Sequence, residues 1–177
     1  MRFCKRWASL ALVAILPAFA GGALSGRRAP GFSLPDSNLQ QHDLYDYRGK
    51  IVLLEIMQTS CPSCRSLTAE LERIKTKYAG RVAVLSVVNP PDNMNSVKAY
   101  ITSQSVTGPM LFDSGQMAAS YLKVTPQNPR IHLPHLFLID GEGMIRNDWA
   151  EQEAVDAAKD SIVETEIDHL LSGKPAK

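Results

Sequence analysis

Apolar residues recur along this chain in two rhythms. Ile51 to Met57 is a nearly unbroken apolar run rich in branched side chains, the composition of a strand covered on both faces of a sheet. Beyond a short polar turn, Leu67, Leu71, Ile74 and Tyr78 are spaced as one helical face. Gly80 is placed to end that helix, and Val82 to Val88 is a second buried strand closed by Asn89-Pro90-Pro91-Asp92. Ser96 to Ser105 carries Val97, Tyr100 and Ile101 on one helical side. Met110 to Phe112 reads as a short extended segment, Gln116 to Leu122 as a short helix, and Thr125 to Arg130 as a Pro-rich loop. Leu136 to Ile139 is a third apolar strand, Asp140-Gly141-Glu142-Gly143 a tight turn, and Met144 to Trp149 the strand returning from it. A single last helix, Glu151 to Leu171, is expected to bury Val155, Ala158, Ile162, Ile167 and Leu170 and to stop at Gly173. Strands alternating with helices, then a hairpin and a covering helix, predict an α/β sandwich with a mixed central sheet flanked by helices.

Composition adds the ends of the chain. At 177 residues, 45% hydrophobic and 21% charged, one globular domain with a short extension is expected. Arg2, Lys5 and Arg6 precede the apolar run Ala8 to Ala20, and Ala18-Phe19-Ala20 offers small residues where a signal peptidase reads. Residues 1–20 are therefore assigned as a signal peptide, which places the protein in the periplasm or another extracytoplasmic space. The run falls short of the ~20 residues that span a bilayer. Gly21 to Leu24 would lengthen it, so a leader left uncleaved would act as a membrane tether. Residues 21–29, with their Gly, Ser and Arg, read as a flexible linker, 30–173 as the domain and 174–177 as a tail. Formal net charge is +1, and without the leader 16 basic residues face 18 acidic ones, so no nucleic-acid surface is indicated.

Cleavage removes Cys4 and leaves two cysteines, Cys61 and Cys64, in Cys61-Pro62-Ser63-Cys64. Both sit where the first strand hands over to the first helix. Pro62 suits the first helical turn, where its missing N–H costs nothing. Cys61 then occupies the N-cap, where unpaired N–H groups and the positive end of the dipole favour a thiolate. Cys61 is the expected nucleophile, and Cys64, one turn further in, the more buried resolving thiol. A structural staple is a poor alternative, because so small a ring removes little entropy from the unfolded chain. Half of a zinc site is another. His132 and His135 would have to complete it, and their spacing is shorter than usual for such sites.

Four ordered segments resemble a known family: Ala29-Pro30-Gly31-Phe32-Ser33-Leu34-Pro35-Asp36 with the Arg48-Gly49-Lys50 turn, the strand with its CPSC, Met110-Leu111-Phe112-Asp113, and the stretch from Leu133 to Gly143. Together they resemble the thioredoxin fold and, within it, the extracytoplasmic TlpA/ResA-like thiol-disulfide oxidoreductases of the redoxin, or AhpC-TSA, group. The resemblance implies a thioredoxin-like three-layer sandwich and a cis proline beside the disulfide, matched here by Pro134. A cis bond there exposes the preceding backbone, at Leu133, to an incoming peptide. Three positions depart from the pattern. Ser60 stands where relatives commonly have Trp, and Leu67 where ResA-like proteins often have a helix Glu. Glu55 matches the buried acid of thioredoxins proper.

These residues define the expected site. Cys61 attacks a substrate disulfide, Cys64 resolves the mixed disulfide, and Glu55, desolvated among Leu53, Leu54, Ile56 and Met57, exchanges the proton. Pro134 completes the catalytic group, with Ser60, Pro62, Ser63, Leu133 and His135 expected to face substrate. His132 or His135, if protonated, would lower the Cys61 pKa. The partners implied are protein thiols and disulfides, with a membrane thiol carrier as electron donor. No metal, flavin or nicotinamide is implied. Two other readings stay open. A peroxiredoxin-like peroxidase would have Thr three residues before its cysteine, where this chain has Gln58 and carries Thr59 out of register. A Sco-like copper-binding assembly protein would have three residues between its cysteines.

Overall fold

A computed structural model describes residues 21–173; the assigned signal peptide, Cys4 and the tail lie outside the described residues. The element order is β1 (Ser33–Pro35), β2 (Gln41–Asp43), a 3-10 helix (Leu44–Tyr47), β3 (Ile51–Met57), α1 (Pro62–Lys77), β4 (Val82–Val88), α2 (Met94–Gln104), β5 (Met110–Phe112), α3 (Gln116–Leu122), β6 (His135–Ile139), β7 (Ile145–Ala150), α4 (Glu151–Lys159) and α5 (Ile162–Ser172). The central sheet has the order β5-β4-β3-β6-β7. β4 runs parallel to β3 and to β5, whereas β6 is antiparallel to both β3 and β7. The expected mixed α/β sandwich is therefore what forms, and its layering is thioredoxin-like.

Alternation along β3 divides the interior in two. Ile51 and Leu53 pack with Leu67, Leu71 and Ile74 of α1 and with Val155, Ala158, Val163 and Ile167 of α4 and α5. Val52, Leu54 and Ile56 point the other way, onto Phe137 and Ile139 of β6 and onto Met117, Ala118 and Tyr121 of α3. Each of these large side chains contributes about 1.5–3 kcal/mol on burial, so β3 carries a large share of both cores. A third cluster, Met57, Cys64, Val88, Val97, Tyr100 and Met110, closes the end of the sheet where the cysteines lie.

Three expectations are corrected. The last helix is broken: Asp160 caps α4, and Ser161, in the left-handed region at φ 61°, starts α5. The turn rotates the second half, so Ile162 is exposed while Val163 enters the core. The helix before Gly80 ends earlier, with Tyr78 as its cap, and Gly80 supplies the left-handed residue of the turn that follows. Residues 21–29 form a docked strap along the free edge of β7. Arg28 bridges Met144, the Gly26 N–H donates to the Ile145 carbonyl at 2.9 Å, and the Ile145 N–H donates to the Arg27 carbonyl at 2.8 Å. Farther along, the Gly22 N–H donates to Asn147 Oδ1 at 2.7 Å and the Leu24 N–H to Asp148 Oδ1 at 2.8 Å. Backbone amides need only an unpaired sheet edge, so a Gly- and Ser-rich sequence binds there as well as any other.

The strap fits too closely for a side chain at its start, since a Cβ on Gly22 would collide with the Asp148 carbonyl. Gly22→Ala should lift this end of the strap. The Leu24 amide is expected to exchange with deuterium roughly tenfold faster, the equivalent of about one hydrogen bond, while the β3 amides keep wild-type protection.

Candidate redox site

At the end of β3, Gln58 to Ser60 turn the chain into α1, and the turn is fastened to its neighbours. Gln58 Nε2 donates to the Pro90 carbonyl at 2.9 Å. The Thr59 N–H donates to Asp92 Oδ2 at 2.7 Å, and the Thr59 hydroxyl donates to Asp92 Oδ1. Asp92 also receives the Ser96 hydroxyl at 2.9 Å, so one carboxylate ties the cysteine turn to the first turn of α2.

Cys61 occupies the N-cap in extended conformation, with Pro62 in the first helical turn. Its Sγ accepts the Cys64 N–H at 3.2 Å. The two sulfurs are in bonding contact, with their Cα atoms 5.3 Å apart. Cys61 is half-buried, and Cys64 is fully buried among Met57, Val97 and Tyr100. The pair is thus unsymmetrical as the sequence predicts: one sulfur meets solvent and the helix N-terminus, the other meets the core.

The Leu133-Pro134 bond is cis, like Pro90-Pro91. Leu133 packs against the cluster that holds Cys64, as does Cys61. Pro134 is buried, and its carbonyl accepts the Glu151 N–H at 2.7 Å. Pairing of β6 with β3 begins at His135 opposite Ile56, which leaves Leu133 ahead of the ladder. Ser60 and Pro62 are exposed and Ser63 is partly so.

His135 departs from its expected place facing substrate. It alternates with Leu136 and so shares the face of Phe137, stacking on that ring with centroids 4.5 Å apart. Its Nε2 lies 3.0 Å from Asp148 Oδ2, and it is buried. His132 is exposed, with Nδ1 3.0 Å from Glu151 Oε1. The two histidines are therefore engaged apart from each other. Among the described residues no group of three or more His, Cys, Asp or Glu side chains is placed to hold a metal ion.

Glu55 lies on the α1 side of β3, between Leu53 and Met57, and is completely buried. The Ser86 hydroxyl donates to its Oε2 at 3.2 Å, and among the described residues Oε1 has no partner. Burial pushes its carboxyl up to about 8, outweighing the opposite pull of Ser86 and Thr68. Leu67, one turn into α1 beyond Cys64, is a fully buried core residue.

Sequence reasoning missed three participants. Asp92 shows only as the end of the Asn-Pro-Pro-Asp break, and its link to Thr59 needs the fold. Asn89 is buried at the neighbouring strand end with both amide atoms unpartnered among the described residues. Thr68 lies one turn beyond Cys64, a spacing that could have drawn notice, and it meets Tyr100 of α2.

Known proteins resemble this chain. "Thioredoxin-like protein YneN" of Bacillus subtilis (strain 168) is 26% identical over 157 residues, covering 81% of this chain and 88% of its own. "Thiol-disulfide oxidoreductase ResA" of Geobacillus kaustophilus (strain HTA426) is 29% identical over 121 residues, 68% of this chain, which spans 66% of that protein's length. Among solved structures, a thiol:disulfide interchange protein of the thioredoxin family from Chlorobium tepidum TLS matches with a TM-score of 0.66 at 18% identity, over 80% of this chain and 96% of its own. Peroxidoxin BcpB from Mycobacterium tuberculosis matches with 0.64 at 18%, over 80% and 94%. At such identities the structures speak to the fold alone. The model of the AhpC/TSA family matches residues 25–148, from within the strap into β7, and the chain belongs to that family.

Proposed function

We propose that this protein is an exported thiol-disulfide oxidoreductase acting on protein disulfides through Cys61 and Cys64. The observation that carries this reading is the pairing of a half-buried N-cap sulfur with a fully buried one a helical turn away. In the reducing direction, the Cys61 thiolate attacks a substrate disulfide, forms a mixed disulfide and expels one substrate thiolate. Cys64 then gives its proton to the ionised form of Glu55, whose share grows as the pH approaches 8, and attacks Cys61 Sγ. The second substrate thiolate leaves, so two electrons pass to the substrate and the Cys61–Cys64 disulfide remains. Ser60, Pro62, Ser63 and Leu133 flank the half-buried Cys61 sulfur and receive the substrate chain, with Pro134 as the platform. A membrane thiol carrier restores the dithiol on the extracytoplasmic side, consistent with the leader at 1–20.

A peroxidase reading is less well supported. The Thr59 hydroxyl, the nearest threonine to Cys61 in sequence, is spent on Asp92. The copper-carrier reading would have three residues between its cysteines, and neither nearby histidine is free for a shared site: His135 meets Asp148 and His132 meets Glu151.

The order of attack is tested by trapping. Cys64→Ser should accumulate a mixed disulfide with a protein substrate, while Cys61→Ser should be inactive and trap nothing. Faster alkylation of Cys64 than of Cys61 in the reduced protein would reverse the assignment.

Glu55→Gln keeps the shape and removes the proton acceptor. Resolution followed by stopped flow should slow by about 10- to 100-fold between pH 6 and 8, with the first attack little changed. Equal rates in both steps would make Glu55 a structural acid.

The same acid has a signature in stability. Unfolded, it ionises near 4.5; folded, it holds its proton up to about 8. Below the lower value both states are protonated and no difference exists. Through the window between the two values the unfolded state gains charge freely while the folded state resists, so stability falls as pH rises and levels off above 8. The loss is of order 3–6 kcal/mol. Urea unfolding of the oxidised protein should show this decline between pH 5 and 8, and Glu55→Gln should flatten it.

A further inference from the structure

One residue outside the cysteine motif holds the stretch ahead of β6 on both sides of Leu133. β7 ends at Ala150, opposite His135, so Glu151 at the start of α4 comes to lie beside Pro134. There its N–H donates to the Pro134 carbonyl at 2.7 Å. Its side chain reaches back to the other side, with Oε1 3.0 Å from His132 Nδ1. An ionised carboxylate can only accept, so Nδ1 carries the proton, and the bond forms whether the ring is neutral or charged. His132 and Pro134 are the immediate neighbours of Leu133, which packs on the third cluster together with Cys61.

The backbone of Glu151 is costly. Its φ of 53° lies in the left-handed region, where a Cβ crowds the next carbonyl and only glycine sits without penalty. Nor does the carboxylate cap its own helix, because the N-cap is Ala150 and no side-chain cap bond forms. Among the described residues, the hydrogen-bond partner of that carboxylate is His132 alone. Leu133, between the two anchored residues, is left open. Pairing of β6 with β3 starts at His135, and among the described residues neither the N–H nor the C=O of Leu133 has a partner. Free backbone groups of this kind are what an incoming extended chain pairs with.

We propose that Glu151 is a positioning residue for the substrate chain: holding His132 by its carboxylate and Pro134 by its N–H, it fixes the Leu133 backbone where substrate pairs with it. The inference rests on Leu133 as a substrate contact in the reading above. It adds that the start of α4, an element remote in sequence from the cysteines, sets how firmly that contact is presented.

The test is single-turnover reduction of a short synthetic peptide closed by one disulfide, using the pre-reduced full chain, which yields a half-saturating concentration and a limiting rate. Glu151→Ala removes the carboxylate and keeps the N–H. It should raise the half-saturating concentration by about two- to fivefold, the range an exposed pair supports, with the limiting rate little changed. Glu151→Gln, whose side-chain carbonyl still accepts from Nδ1, should recover most of the loss. Glu151→Gly should resist urea better than Glu151→Ala, since only glycine relieves the left-handed strain, and yet bind the peptide no better. A merely structural role would restore binding along with stability. His132→Ala should match Glu151→Ala, and the double variant should be no worse than either single one. Iodoacetamide, too small to need the Leu133 backbone, should alkylate Cys61 at the wild-type rate in His132→Ala; a slower rate would mean that His132 acts on the thiolate instead and would overturn the proposal. An unchanged half-saturating concentration in Glu151→Ala, or additive losses in the double variant, would overturn it as well. Relaxation of the Leu133 amide 15N then tells which part has failed: order lost without a change in binding removes Leu133 as the substrate contact, and order kept removes Glu151 as its clamp.

Discussion

Strand β3 is bonded along both edges and covered on both faces, so whatever side chain it carries is withdrawn from water. Six of its seven residues are apolar; five fill the two cores and Met57 the third cluster. The seventh is an acid. In a solvent-free slot a carboxylate loses its hydration and regains only part of it from Ser86 and Thr68, so the neutral form prevails until the solution is mildly alkaline. An apolar side chain there would carry no such desolvation cost.

The same strand aims the chemistry. Because it ends at Met57 and the next helix begins at Pro62, the intervening turn must present one sulfur at the helix start and send the other inward. Asp92 fixes that turn by taking both donors of Thr59, and it also receives Ser96 of α2. The cysteine turn and the buried Cys64 therefore share α2 as a common wall. This is a physical reason for expecting changes on α2 to be felt at the sulfurs.

Much of this was readable from residue order. β3 and α1 announce themselves through unbroken apolar character and through helical spacing, and the Cys-Pro pair marks the N-cap because Pro tolerates few other places. α3 forms over the expected residues, Gln116–Leu122. What escaped notice depends on partners far away in sequence. The strap residues look like a tether, since their bonds run through backbone amides to Asn147 and Asp148, more than 120 positions distant. The break at Ser161 is hidden because Val155, Ala158 and Ile162 keep helical spacing through it, and only the left-handed residue reveals the turn. His135 was placed beside substrate from its neighbour Pro134, but strand alternation sends its ring to the other face.

The strap has a consequence for how molecules meet. An edge strand with unpaired N–H and C=O groups is a template on which another chain can continue the sheet. Here the segment from Gly26 to Ala29 already occupies the start of the β7 edge, and Asp36 bridges Leu111 on the opposite edge of the sheet. Both margins are thus partly closed by the same stretch of chain ahead of β3. Two copies of the folded protein thus meet sheet margins that are already partly taken, which leaves each less able to continue the other's sheet.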